Sequence, residues 1–192
     1  MQAIFLDTET TGLDPLVHRI LEIAFKVVDI STGYVIMTYQ AIIKQPIEVW
    51  ERRDISSTEV NGFTWEKVQI GKDEAVVRQE IIQIFEDLEI ARGTTIYICQ
   101  NPAFDRSFFA QLIDMHEQEQ KRWPYHWLDF ASMYWALQVK AFKDIGEPFP
   151  HDLNLSKNAI AQRYNLPIEP SPHTALNGVD HLLLCYRTVI GF

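Results

Sequence analysis

Cysteine is scarce: Cys99 and Cys185 are the only two in 192 residues. They lie far apart and match no zinc-ligand spacing, so neither a disulfide framework nor a zinc site is expected. Both sit in apolar runs and read as inert core thiols, which points to a reducing, cytoplasmic setting. Long hydrophobic runs are also missing. None approaches the roughly 18 apolar residues that a membrane helix needs. The stretch Met1 to Asp7 has no basic leader, and its apolar run is too short for a signal peptide. There is no repeat of fixed period and no low-complexity tract. A Walker-type glycine loop and a Gly-x-Ser-x-Gly elbow are absent as well. Positive charge is short: 17 Lys and Arg stand against 26 Asp and Glu, a net charge of -9. That argues against a protein that coats nucleic acid with a basic surface. It does not exclude an enzyme that holds a few nucleotides at one end, where bound metal ions supply positive charge locally.

Hydrophobic content is 47% and aromatic content 12%. A chain of this size and composition is expected to fold as one domain over residues 1–192 with a full core. Gln2 to Leu6 reads as a buried strand ended by Asp7. Ile20 to Ile30 and Tyr34 to Lys44, joined by Ser31-Thr32-Gly33, read as an antiparallel hairpin. A loop is expected near 46–56. Ser56 to Asp87 reads as helical with breaks, Asn61-Gly62 marking a turn. From about Asp73 the spacing of Val77, Ile81, Ile84 and Leu88 is helical. Thr95 to Cys99 is a short strand, Phe104 to about Glu119 a helix, and Trp127 to Asp129 a last strand before a helix from Ala131 to Lys140. Lys143 to Asp152 is a loop. Leu155 to Tyr164 is a short helix. Thr174 to Ile190 closes the chain as a helix with Val179, Leu183, Tyr186 and Ile190 on its buried face. Strands first, then helices alternating with short strands, describe an α/β layer with a mixed sheet.

Three constellations carry chemistry. Asp7-x-Glu9 places two carboxylates on one face of a strand end, because alternate residues share a face. Such a pair repels itself unless a divalent cation sits between. Gln100-Asn101-Pro102-Ala103-Phe104-Asp105 follows a strand and puts Asp105 at a helix start, where an Asp is often a cap. Phe104 and Phe108 are either core residues or partners for a terminal base. The third is His173-Thr174-Ala175-Leu176-Asn177-Gly178-Val179-Asp180.

The run Phe5-Leu6-Asp7-Thr8-Glu9-Thr10-Thr11-Gly12-Leu13 resembles the first motif of the DnaQ-like (DEDDh) 3′–5′ exonuclease family, in the ribonuclease H-like superfamily. The Asn101 to Asp105 segment resembles its second motif. His173, Ala175 and Leu176 match its His-x-Ala-Leu segment. Asn61-Gly62-Phe63-Thr64, Trp127-Leu128-Asp129 and Leu155 to Pro167 are similar to supporting segments, so the resemblance runs from Ile4 to about Ile190. The chain departs in one place. The family has Asp where this chain has Gly178, and Asp180 follows two residues later. At about 100° per residue those positions are about 200° apart on a helix. Either the helix begins later and Asp180 takes the fourth carboxylate's role, or that ligand is missing.

The resemblance implies a ribonuclease H-like α/β fold, a five-stranded mixed sheet flanked by helices on both faces. It implies stepwise hydrolysis of DNA or RNA from a single-stranded or frayed 3′ end, releasing 5′ mononucleotides. Two divalent ions, Mg²⁺ or Mn²⁺, would be held by Asp7, Glu9, Asp105 and Asp180, with His173 as general base. Thr8, Thr10, Asn101, Phe104 and Phe108 would contact substrate. A catalytically decayed nucleic-acid-binding or scaffolding protein of the same fold is the alternative, and Gly178 is its support. A polymerase or a second copy is a possible partner. The Thr-Glu-Thr-Thr-Gly form leans towards polymerase proofreading subunits and away from oligoribonuclease.

Overall fold

Ala3, Ile4, Phe5 and Leu6 are all completely buried at the centre of strand β1, Gln2–Thr10. A continuous apolar run of this kind suits a central strand covered on both faces. The computed structural model describes residues 1–192, and in it β1 is the middle strand of five. Its antiparallel neighbour β2, Ile20–Asp29, pairs in turn with the edge strand β3, Tyr34–Ile42. On the other side β1 pairs in parallel with β4, Thr95–Cys99, which pairs in parallel with β5, Trp127–Asp129. The order β3-β2-β1-β4-β5 is the expected mixed sheet.

The helices follow as α1 Ile47–Glu51, α2 Ile55–Asn61, α3 Trp65–Gln69, α4 Glu74–Asp87 and α5 Pro102–Leu112. After them come α6 Met115–Gln120, α7 Phe130–Asp144, α8 Lys157–Arg163 and α9 Ala175–Val189. One face of the sheet offers Ile4 and Leu6 to Val77, Ile81 and Phe85 of α4 and to Phe108, Phe109 and Leu112 of α5. The other offers Ala3 and Phe5 to Phe130 and Tyr134 of α7, Ile160 of α8, and Val179, Leu182 and Tyr186 of α9. Each completely buried Phe or Leu of these layers contributes about 1.5–3 kcal/mol by leaving water. A smaller cluster of Leu21, Trp50, Phe63 and Val68 anchors α1 to α3.

Local signals mislead at several boundaries. β1 does not stop at Asp7 but runs to Thr10, because Asp7, Thr8 and Glu9 each pair with β2, opposite Ala24, Ile23 and Glu22. Ladder pairing overrides the low strand preference of acidic residues. The helix expected over Phe104 to Glu119 is two, since Asp114 accepts a hydrogen bond from Glu117 N (2.9 Å) and caps a new helix. The segment near 46–56 contains the short helix α1, pinned by buried Trp50. Ile190 is 37% exposed at the C-cap of α9 and is not on the buried face.

β4 pairs with β1 only from Gln2 to Phe5. Asp7 to Thr10 therefore project beyond the end of their parallel neighbour. A crevice outside the carboxyl ends of parallel strands is where open α/β sheets place their sites.

Candidate active site

On β1 the side chains of Asp7 and Glu9 share a face with Ala3 and Phe5, towards the α9 layer. Thr8 points the other way and is nearly buried, and its Oγ1 donates to Asp105 Oδ1 at 2.9 Å. Asp105 sits in the first turn of α5, whose N-cap Asn101 has φ 58° and whose next residue is Pro102. Pro pre-organises that first turn, where its missing N–H costs nothing. The carboxyl of Asp105 is turned inward and only 2% of the residue is exposed.

These groups line one side of an open cleft of about 380 Å³, together with Gln100 and Phe104. Ser156, Lys157, Asn158, Glu169 and His173 line the other side. The floor is strongly acidic. Burial, followed by the fields of Glu169 and Glu22 against a weakening effect of Lys157, raises the Asp7 carboxyl to about 6. Burial, then Asp7 and Glu22, raises Glu9 to about 8. Burial and then Asp7 push Asp105 well above the carboxylate range, while Thr8 opposes them. For Lys157, burial favours the neutral amine, but Asp7 and Glu169 outweigh it and the net shift is upward. Desolvated like charges in a cleft are the environment in which functional groups are usually perturbed.

Helix α9 and the loop before it are held by specific bonds. Glu22, opposite Glu9 on β2, accepts from Ala175 N through Oε2 (2.9 Å) and from Gln40 Nε2 through Oε1 (2.6 Å). A carboxylate on the first N–H groups of a helix is favoured by the dipole. Thr174 caps the same helix by accepting from Asn177 N at 3.2 Å. His173 N donates to Val60 O of α2 at 3.0 Å, and its Nδ1 lies 3.9 Å from Glu169 Oε1. Asn61 ties α2 to β1 by donating to Thr10 O at 3.1 Å. Gly62, at φ 64°, lies under Pro172, where a Cβ would meet the Pro172 ring at 2.8 Å.

Of the ten residues singled out in the sequence, Asp7, Thr8, Glu9, Phe104, Asp105 and His173 meet in this cleft. Thr10 lies in an adjoining depression shared with Leu13, Val60 and Asn61, its hydroxyl donating to Gly12 O at 2.7 Å. Three others are placed elsewhere. Phe108 is completely buried against the sheet and cannot touch a substrate; it packs on Phe104 at 4.8 Å between ring centroids. Asn101 caps α5, its backbone N donating to Asp129 Oδ1, and Gln100 lines the cleft instead. Asp180, one of the two alternatives for the fourth carboxylate, stands apart from the cleft. It is paired with Lys26 of β2, its side chain is 49% exposed, and it does not line the cleft. Gly178 is the α9 residue that abuts the site: a Cβ there would stand 2.6 Å from Asp7 Cγ.

Lys157, Glu169 and Gln100 are cleft residues that the sequence reading missed. Lys157 had a faint signal, since a lysine opening a helix opposes the dipole. So did Glu169, an acid between Pro167 and Pro170 that is only 6% exposed.

Comparison with known proteins decides the family. The family model described as Exonuclease, RNase T, matches residues 4–180. The chain belongs to this exonuclease family. It is a DnaQ-like, DEDDh-type member with a ribonuclease H-like fold. It is 32% identical over 105 residues to the PolC-type DNA polymerase III of Thermotoga maritima, an alignment that covers 55% of this chain and 7% of that protein. The fold is similar to that of the zinc-bound form of the E. coli ExoI–ssDNA complex, with TM-score 0.75, 19% identity, 98% of this chain and 40% of that one. It also resembles the nuclease domain of 3′hExo, a DEDDh family member solved with bound rAMP, with TM-score 0.67, 14% identity, 96% of this chain and 88% of that one. No helix of the exonuclease-family chain is long and apolar enough to cross a membrane.

Members of the family use divalent metals, so the donor set here has to be tested against them. Asp7 and Glu9, with water and a phosphate oxygen, match the one or two carboxylates by which Mg²⁺ is ordinarily held. Their raised carboxyls are what a cation would relieve. The residues do not fit a pair of ions. No three His, Cys, Asp or Glu side chains converge as a ready cage. Gly178 brings no carboxylate, and the Lys157 ammonium stands 3.8 Å from Asp7 Oδ1.

Proposed function

We propose that this chain is a cation-dependent 3′–5′ exonuclease acting on a single-stranded or frayed 3′ end of DNA or RNA and releasing 5′ mononucleotides. One observation carries this reading: Asp7, Glu9, Asp105 and His173, drawn from four separate sequence positions, line one open cleft at the end of the central strand. A divalent cation supplies neutralisation of the carboxylates and polarisation of the phosphate. The chain's own groups do the rest. Asp7 and Glu9 hold the cation. Thr8 fixes the Asp105 carboxyl by its hydrogen bond. His173 accepts a proton from the attacking water, a task suited to an imidazole near neutral pH. Glu169 Oε1 faces its Nδ1 at 3.9 Å and orients the ring. The adjoining depression lined by Thr10 and Phe104 receives the terminal nucleoside, with the Phe104 ring against the base.

A second reading has its own support. Gly178 leaves the family's fourth carboxylate missing and Asp180 does not replace it, as expected of a nucleic-acid-binding or scaffolding protein with a decayed site. One experiment separates the two. The native chain is incubated with 5′-labelled single-stranded DNA and RNA, with Mg²⁺, Mn²⁺ or chelator. Stepwise shortening that needs the ion and disappears in Asp7→Ala supports the nuclease. Retention of both oligonucleotides without shortening under either ion favours the binding protein.

A further inference from the structure

The corner of the cleft between α8 and α9 departs from the four-carboxylate pattern in a concerted way. At Gly178 the backbone of α9 comes so close to Asp7 that a Cβ would stand 2.6 Å from Asp7 Cγ. No carboxylate enters from that position while Asp7 keeps its place. Beside it, Lys157 Nζ donates to Gly178 O at 3.1 Å and to Glu169 Oε2 at 3.0 Å, and lies 3.8 Å from Asp7 Oδ1. The Lys157 side chain is only 11% exposed. Two of the ammonium's three donors are thus used, and one is left for Asp7 or an incoming oxygen. Burying an ammonium is costly unless it is paired with opposite charge, and here Asp7 and Glu169 provide the pairing. A second metal ion bridging Asp7 on this side would meet that ammonium. Asp180 is engaged by Lys26 and does not enter this corner.

We propose that Lys157 is a resident cation standing in place of one of the two metal ions. The chain then takes a single divalent ion, at Asp7 and Glu9, and presents the Lys157 ammonium to the substrate phosphate. The phosphate contact rests on the exonuclease reading; the ion count does not.

The native chain is titrated with Mn²⁺ alone at about pH 8.5, where a binding cation readily displaces protons from the raised site carboxyls. Calorimetry counts the ions, and electron paramagnetic resonance reports whether they are coupled. One Mn²⁺ per chain with the spectrum of an isolated ion is expected. Two ions with an exchange-coupled spectrum, or none, overturns the proposal. The doubly substituted Lys157→Met, Gly178→Asp chain is expected to take a second ion, Asp7 rotating to make room. A folded double variant that still binds one ion overturns the claim that Lys157 excludes the second. If that variant does not fold, the native count still decides. With chelator present, Lys157→Met should bind thymidine 5′-monophosphate at least about tenfold more weakly, as loss of a charge-assisted hydrogen bond requires. Unchanged affinity overturns the phosphate contact. One bound Mn²⁺ with no shortening of DNA or RNA would instead overturn the exonuclease reading and leave the single-ion site standing.

Discussion

Replacing Glu9 with Gln should stabilise the metal-free protein, and the gain should grow from about pH 4.5 to about pH 8. Burial and the fields of Asp7 and Glu22 raise the Glu9 carboxyl from 4.5 to about 8. The folded state therefore keeps a proton that the unfolded chain has already released. The sign follows from linkage: where the folded state binds more protons, stability falls as pH rises. Glu9 is harmless below about pH 4.5 and destabilising in full once the pH passes about 8. A tenfold change in proton affinity is worth ~1.4 kcal/mol, which sets a ceiling of about 5 kcal/mol on the effect. The cleft is open to water and Asp7 shares the same field, so about 2–3 kcal/mol is the expected gain. For a chain of this length 1 kcal/mol moves Tm by about 2–4 °C, so Glu9→Gln should melt about 4–12 °C above wild type at high pH. The assay is thermal unfolding of both proteins in chelator at about pH 5 and about pH 9, bracketing the titration. The two curves should nearly coincide at the acid end. An equal Tm difference at both pH values, or none at the alkaline end, would refute the assignment of a raised, self-repelling carboxyl pair.

Two further substitutions probe the frame around the site. Asp180→Ala should leave nuclease activity and Mn²⁺ binding unchanged and cost less than ~1 kcal/mol, because it removes only an ion pair whose Asp180 side chain is 49% exposed; loss of either function would return Asp180 to the site. Glu22→Ala strips the acceptor from Ala175 N and Gln40 Nε2, so near pH 5 the Tm should fall by about 2–12 °C, the range set by a buried unsatisfied donor. An unaltered Tm there would mean that Glu22 does not anchor α9.

Much of the architecture is legible in the chain because its causes are local. The buried run Ala3 to Leu6, the Ser31 to Gly33 turn and the spacing of Val77 and Ile81 each specify an element within a few residues. The same holds for Asp7-x-Glu9, whose shared face follows from strand alternation wherever the strand is placed. Boundaries were less legible where pairing overrides preference. Glu9 lies in β1 because Glu22 is opposite it, and that partner is outside any local window. For Phe108 the sequence leaves both a core place and a place beside a base open, and packing against the sheet puts it in the core.

Asp7, Glu9, Asp105 and His173 are singled out in the sequence by their resemblance to the family's motifs, and the structure brings the four to one cleft at the end of the central strand. Helix phase already showed that Gly178 and Asp180 could not serve the same spot, but not which of them faced the site. Tertiary structure alone decided that Gly178 abuts Asp7 while Asp180 goes to Lys26, and that Lys157 and Glu169 enter the cleft. The reason is distance along the chain. Lys157 lies 150 residues from Asp7 in sequence and 3.8 Å from it in space, a juxtaposition made by the packing of α8 and α9 onto the sheet.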